Sequence, residues 1–128
     1  MAKSYFKQPR KDRSALHTKV RELLRKLFPG FGVGEEVPIR VNGSVLYVDL
    51  MVKELQVVVE CHGKQHFEYI EHFHGNHEGF VSSQQRDADK ARAVRESGYA
   101  YVVVRYDESN LTAKRLLAKI KTALAEKE

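Results

Sequence analysis

The sequence predicts a single α/β domain in which helices pack on a mixed β-sheet. A length of 128 residues suits one domain with one apolar core. Two apolar runs, LQVVVE and YAYVVVRY, are typical of strands that are covered on both faces. Apolar residues recur at helical spacing near both ends of the chain. We therefore expect the element order α-β-β-β-α-β-α in residues 14–128, preceded by a basic arm formed by residues 1–13.

The first helix is predicted to begin after Ser14, whose hydroxyl can cap it. Pro29-Gly30 ends it. Its apolar positions have helical spacing: Leu16, Val20, Leu23, Leu24 and Leu27.

A β-hairpin follows the first helix. The segment VPIRV is separated from SVLYVDLMV by Asn42-Gly43, a pair that favours a primed turn. Strict alternation along the second strand predicts that Asp49 shares a face with Met51. The same alternation assigns Leu46, Val48 and Leu50 to the opposite face.

The remaining elements are predicted from apolar spacing and from turn residues. LQVVVE is the third and central strand. Residues 62–80 lack a clean period, so we expect a long loop with at most a short helical turn, and such loops usually carry function. A helix over 82–97, a strand over 99–106 and a helix over 110–125 complete the domain.

Composition and cysteine content indicate a soluble protein of a reducing compartment. Hydrophobic residues make up 42% and charged residues 30%, and no run approaches the roughly 18 apolar residues of a membrane span. The start, MAKSYFKQPRKDRS, lacks the apolar segment of a secretion signal. Cys61 has no partner for a disulfide or a Cys-rich zinc site. We expect no membrane association and a cytoplasmic location, in a bacterial cell or a phage-infected host.

Positive charge is concentrated at the start of the chain. Residues 1–26 carry nine Lys and Arg against two acidic residues, a net +7, whereas the remaining 102 residues sum to −2. Such a patch is typical of a protein that binds DNA, and Tyr5 and Phe6 are available to stack on bases or to wedge between them. A solvated tail that aids solubility is the alternative. The residues predicted here to contact DNA are Lys7, Arg10, Lys11, Arg13, Arg21 and Arg25.

Two carboxylates form the predicted centre of the site. Asp49 lies in the far part of one strand and Glu60 ends the next, so a short turn between these strands lets both converge at one sheet edge. Two carboxylates with a carbonyl oxygen suit Mg²⁺ or Mn²⁺. Such an ion activates water and stabilises charge on a phosphate.

The pattern D49…E60-C61-H62 is similar to the signature of PD-(D/E)XK nucleases. The segment ECHGKQHF, with the later R-D-x-x-K helix and G-Y-x-V-x-R-Y strand, resembles the small Vsr-like and DUF559-like endonucleases. This resemblance covers roughly residues 14–108. It implies a restriction-endonuclease-like core and a divalent-metal-dependent endodeoxyribonuclease.

The resemblance also implies roles for the residues of the site. Asp49, Glu60 and the main-chain carbonyl of Cys61 would hold the metal ion. His62, helped by His66, would manage the proton of the attacking water, as a general base or as a donor to the phosphate. The residues expected to position or neutralise the phosphate are Lys64, Gln65 and Lys90.

Two positions depart from the family pattern. His62 stands where the signature has lysine, and Lys64 is expected to supply the missing charge. Related sequences often have a glutamate near the start of the first helix, where this chain has His17. Glu22 lies about one turn further on, and neither residue is placed in the core of the site.

Five of the six histidines fall within sixteen residues: His62, His66, His72, His74 and His77. One interpretation is a structural Zn²⁺ site made by His74 and His77 with His66 or His72. The others are catalysis by His66 and ordinary surface polarity.

The charged residues of the second predicted helix and Arg105 each have two possible roles. Asp87 and Lys90 are expected to share a helix face with Arg86 nearby, either as a solvated pair or beside the site. In the second case Asp87 orients His66 or His62, and Lys90 or Arg86 meets a phosphate. Arg105, on the last strand, is predicted to pair with a carboxylate or to bind phosphate.

Two other functions are compatible with the sequence. One is a non-catalytic nucleic-acid-binding module of the same fold, although convergent carboxylates repel phosphate and favour the enzyme. The other is a hydrolase that uses zinc within the cluster from His62 to His77. A homodimer that converts a nicking unit into a double-strand cutter is a further expectation about partners.

Overall fold

The computed structural model describes residues 14–108 and 110–127. Its helices and strands, in chain order, are α1 (Ala15–Leu27), β1 (Val33–Val41), β2 (Ser44–Val52), β3 (Val57–His62), α2 (Glu71–His74), α3 (His77–Glu96), β4 (Ala100–Arg105) and α4 (Ala113–Glu126). Single 3₁₀ turns lie at Lys53–Leu55 and Lys64–His66. No helix in these described ranges is both long enough and apolar enough to cross a membrane.

The four strands form one mixed sheet in the order β1-β2-β3-β4. β1, β2 and β3 are antiparallel neighbours, and β4 is parallel to β3. The predicted class, helices packed on a mixed sheet, is therefore confirmed. The parallel pair requires a crossover connection, which α3 provides.

Apolar side chains form a core on each face of the sheet. On one face α1 and α4 pack against the strands through residues such as Val20, Leu24, Leu116 and Ile120. On the other face α3 contributes Val94, the one residue of this helix that is buried. Most of α3 is therefore exposed or half-buried, which leaves its polar side chains free to face the sheet edge.

Helix α1 agrees with the prediction, because it begins after Ser14 and ends before Pro29. The Ser14 hydroxyl accepts the His17 N–H at 3.1 Å, as expected of a capping residue. At the other end of the chain, Thr112 caps α4, which starts at Ala113 rather than near residue 110.

The predicted loop over 62–80 is partly helical. Residues 71–74 form α2, and α3 starts at His77 rather than at residue 82. Asn76 caps α3 by accepting the Gly79 N–H at 2.8 Å. The first turns of α3 bury no residue, so they carry no periodic apolar stripe from which a helix could be predicted.

The alternation predicted for β2 is wrong around Asp49. Val48 and Met51 pack together on the α3 side, whereas Leu50 packs on the side of α1 and α4. The β1–β2 pairing skips Glu36 and Asp49, and Glu36 has a left-handed φ of 48°. A non-glycine residue in this conformation rarely continues a regular ladder, so the pairing is interrupted at Glu36, although the register is the same on both sides.

Candidate functional site

The carboxylates of Asp49 and Glu60 meet where β2 and β3 separate. Their strands are paired up to Leu50 and Val59. Beyond that point the Asp49 N–H donates to Glu60 Oε2 at 2.7 Å, and the Cys61 N–H donates to Asp49 Oδ2 at 2.9 Å. At these two positions a side-chain carboxylate, rather than a backbone carbonyl, accepts the N–H of the neighbouring strand. These hydrogen bonds hold both carboxylates at the edge of the sheet.

Glu60 is buried beside a lysine. Only 3% of Glu60 is exposed, and Lys90 Nζ of α3 lies 2.6 Å from its Oε1. The Tyr101 hydroxyl also donates to Oε1, at 3.4 Å. Burial and then the charge of Asp49 raise the pKa of Glu60, whereas Lys90 opposes this rise. The ionised carboxylate therefore depends on a nearby cation.

Two histidines stack beside the carboxylates. The rings of His62 and His66 have centroids 4.0 Å apart and are inclined by 8°. The 3₁₀ turn Lys64–His66 brings the chain back so that this contact forms. Burial, followed by the charge of His66, lowers the pKa of His62 to about 4. His62 is therefore a neutral imidazole at neutral pH.

His66 pairs with Asp87 of α3, one of the two partners expected for Asp87. The distance between His66 Nδ1 and Asp87 Oδ2 is 2.7 Å. An ionised carboxylate only accepts hydrogen bonds, so in the neutral form of His66 the proton is on Nδ1 and the lone pair is on Nε2. This is the arrangement of a histidine that can accept a proton from water.

These groups line one cavity of about 480 Å³. Asp87 and Lys90 both face it, as their spacing on one helix predicted. Gln65 also lines it, and its side chain packs so closely over Gly63 that a Cβ there would lie 2.6 Å from Gln65 Oε1. Other lining residues are Ser14, Leu16, His17, Glu36, Cys61 and Tyr106.

Lys64 does not supply the charge expected of it. Its side chain is 58% exposed, and Nζ lies 3.7 Å from Glu68 rather than near the carboxylates. The 3₁₀ turn directs this side chain away from the cavity. Lys90, predicted to meet a phosphate, is instead the cation in contact with Glu60.

The two positions considered on the first helix differ in placement. His17 is buried, lines the cavity, and lies with Nε2 3.0 Å from Glu35 Oε1. Glu22 lies on the exposed side of α1 and pairs with Arg21 and Arg25. Of the two, only His17 borders the site.

The cations predicted to contact DNA fall in three groups. Arg21 also contacts Glu35 at 3.4 Å, so it and Arg25 are both paired with carboxylates of the domain. Arg86 is exposed on α3. Lys7, Arg10, Lys11 and Arg13 lie outside the described residues.

The later histidines pack with aromatic rings. His74 Nδ1 accepts the Ile70 N–H at 2.9 Å, and His77 stacks on Tyr69 with centroids 4.8 Å apart. His72 meets Phe73 edge to face. Among the described residues, neither His74 nor His77 joins a group of three metal-ligating side chains. The expected zinc arrangement around His74 and His77 is therefore not assembled.

Arg105 takes the first of its two predicted roles. It forms two hydrogen bonds with Asp107, at 3.1 and 3.3 Å. Its guanidinium also lies 3.8 Å from the centroid of the Phe67 ring, on the segment that carries the histidines. This contact ties the segment to the end of β4.

Sequence reasoning missed Glu36 and Tyr101. Glu36 lines the same cavity as Asp49, but its left-handed backbone has no signal in the sequence. Tyr101 belongs to an apolar run, and only the buried hydroxyl contact with Glu60 distinguishes it. Alternation along YAYVVVRY offered a weak signal, since it assigns Tyr101 and Val102 to opposite faces of the sheet.

The donor set fits a hard divalent cation. Asp49 and Glu60 bring two carboxylates together, and their mutual repulsion is relieved by any added positive charge. The His62 carbonyl accepts the Tyr106 N–H, so the backbone groups of Cys61 face the Asp49 side. Burial raises the pKa of the Cys61 thiol to about 12, so its sulfur is a weaker candidate ligand than the carboxylate oxygens.

Comparison with known proteins gives two partial matches. The chain is 36% identical over 66 residues to "Uncharacterized protein 307L" of Invertebrate iridescent virus 6, which covers 51% of this chain and 34% of the viral protein. It is 33% identical over 66 residues to "Uncharacterized protein 033L" of Invertebrate iridescent virus 3, with 52% and 34% covered. The chain thus matches about a third of the length of these viral proteins. No family model matches the chain.

Proposed function

We propose that this chain is a divalent-metal-dependent endonuclease that hydrolyses phosphodiester bonds of DNA and has a restriction-endonuclease-like core. The observation that carries the proposal is that the Asp49 N–H holds the Glu60 carboxylate and the Cys61 N–H holds the Asp49 carboxylate, at the end of paired strands. A buried Glu60 beside a half-buried Asp49 is destabilising by itself, and such perturbed carboxylates are concentrated at functional sites.

Asp49, Glu60 and the main-chain carbonyl of Cys61 are the groups that would hold Mg²⁺ or Mn²⁺. When bound, such an ion lowers the pKa of water and neutralises charge on the phosphate. Lys90 favours the ionised form of Glu60, in opposition to burial and the charge of Asp49, which raise the pKa of this carboxyl.

His66 is the proposed general base. Asp87 orients its ring and stabilises the imidazolium that forms when Nε2 takes a proton. His62 stacks on the same ring and stays neutral, so it adds no competing positive charge. Gln65 lines the same cavity and would donate a hydrogen bond to a phosphate oxygen.

Affinity for DNA would come mainly from the basic arm and from the exposed cations of α1 and α3. Lys19 and Lys26 lie on α1, and Arg86 is exposed on α3. Contacts of this type release counterions, so affinity should fall steeply with salt.

The test is cleavage of supercoiled plasmid by the purified chain with Mg²⁺, Mn²⁺, Zn²⁺ or a chelator, beside Glu60→Gln. Nicking or linearisation with Mg²⁺ or Mn²⁺, lost in the chelator and in the variant, is the expected result. Absence of cleavage on plasmid, single-stranded and branched DNA with any metal would overturn the enzyme proposal. DNA binding retained under those conditions would favour the non-catalytic module.

A further inference from the structure

A second group of metal-ligating side chains lies next to the carboxylate pair. His62, His66 and Asp87 each offer a donor atom, and these atoms all lie within 4.8 Å of one another. Among the described residues, this is the one cluster of at least three metal-ligating side chains. Its donors are two imidazole nitrogens and one carboxylate oxygen. Asp49 and Glu60, by contrast, offer only carboxylate oxygens.

We propose that His62, His66 and Asp87 form a binding site for a borderline transition-metal ion, with Zn²⁺ as the reference ion. Imidazole nitrogen suits Zn²⁺ and its neighbours in the first transition row, whereas Mg²⁺ prefers oxygen. Two histidines and one carboxylate are a ligand set of zinc sites that keep an open position. The cavity provides space for water or another ligand at that position.

Binding requires a small movement of His66. Ligands of tetrahedral Zn²⁺ are roughly 3.3 Å apart, given Zn–N distances of about 2.0–2.1 Å. In the structure the two rings are nearly parallel, so their lone pairs cannot point at one ion until one ring tilts. His66 can tilt, because it lies on a single 3₁₀ turn and its side chain is 24% exposed. Its bond with Asp87 would then be replaced by the metal.

Zn²⁺ binding at this site also affects DNA cleavage, an effect that rests on the proposed function. The same ring cannot bind Zn²⁺ and serve as the base that accepts a proton from water. Zn²⁺ should therefore inhibit cleavage supported by Mg²⁺, through His66 and Asp87 rather than by displacing Mg²⁺ from Asp49 and Glu60.

The binding itself is tested without DNA, on the metal-free full chain. Zn²⁺ is titrated by calorimetry, and Co²⁺ is titrated by visible absorption, which strengthens when Co²⁺ leaves six-coordinate water for a four- or five-coordinate site. The variants are His66→Gln and Asp87→Asn. Their matched controls are His72→Gln, an exposed histidine of α2, and Asp89→Asn, an exposed aspartate of α3. Far-ultraviolet circular dichroism checks that each variant is folded.

We expect one equivalent of Zn²⁺ to bind, with affinity lowered at least about tenfold in His66→Gln and Asp87→Asn. The controls should bind within about twofold of the parent, since exposed groups away from a site contribute little to it. Absence of stoichiometric binding, or binding that the cluster variants leave unchanged, would overturn the site. A chain that binds Zn²⁺ but cleaves no DNA would retain this inference and lose the proposed function.

Discussion

Lys90 Nζ lies 2.6 Å from Glu60 Oε1, so a helix supplies the cation that the strand sequence lacks. The segment E60-C61-H62 contains no lysine, and Lys64 pairs with Glu68 instead. Lys90 reaches Glu60 because α3 crosses the same sheet edge on its way to β4. The cation beside Glu60 thus comes from a different element than the strand that carries Glu60.

Replacing Lys90 by Met should destabilise the fold, and more so as the pH rises. Without Lys90 the folded-state pKa of Glu60 rises further above its ordinary value, so the folded protein disfavours the ionised carboxylate. That penalty grows as pH increases from the unfolded pKa towards the raised folded pKa. We expect a loss of about 1–3 kcal/mol in the free energy of unfolding at pH 7, and less at pH 5.

The control for this change is Arg92→Ala on the same helix. Arg92 pairs with Asp89 at 2.9 Å, but both side chains are largely exposed. Such surface pairs contribute at most about 1 kcal/mol. Urea denaturation at the two pH values separates the cases, and equal losses in both variants would contradict the role given to Lys90.

Replacing Asp49 by Asn should stabilise the metal-free protein. The asparagine oxygen can still accept the Cys61 N–H, while the negative charge that raises the pKa of Glu60 disappears. We expect a gain on the order of 1 kcal/mol, because the repulsion between the two carboxylates is removed. Thermal unfolding in a chelator measures it, and a clear loss of stability would show that the charge of Asp49 is not repulsive.

Replacing Asp87 by Asn should slow cleavage without unfolding the chain. The amide cannot stabilise a positive His66, so the rate should fall by about 10²-fold or more. Both side chains of the pair are partly exposed, so stability should change by less than about 1 kcal/mol. Asp89→Asn, two residues along the helix, is the control, and similar rates in the two variants would remove Asp87 from the mechanism.

His62 should make the fold sensitive to acid. Its folded pKa of about 4 is below the ordinary value of 6.5, so the unfolded chain binds the proton more readily between these values. Stability supplied by the neutral ring is present above pH 6.5 and lost as the pH falls towards 4. In His62→Gln the change in stability across this window should be smaller by on the order of 2–3 kcal/mol. An unchanged pH profile would contradict the burial of a neutral His62.

The sequence was sufficient to predict the fold class and the convergence of Asp49 and Glu60, because apolar runs and turn residues are local signals. It allowed a short helical turn within residues 62–80, which α2 is, but it did not predict the first turns of α3, since these bury no residue and so lack an apolar stripe. The partner of Glu60 was also missed. A contact between Lys90 and Glu60 depends on how α3 crosses the sheet, and neither residue carries a local sign of it.

The most direct test of the account is a paired measurement on Asp49→Asn: DNA binding in a chelator, and plasmid cleavage with Mg²⁺ or Mn²⁺. The parent chain is expected to cleave with metal, whereas the variant should bind DNA at least as tightly and cleave at least about 10²-fold more slowly, as loss of a metal ligand implies. Undiminished cleavage by the variant would contradict the assignment of Asp49 and Glu60 as the metal-binding centre.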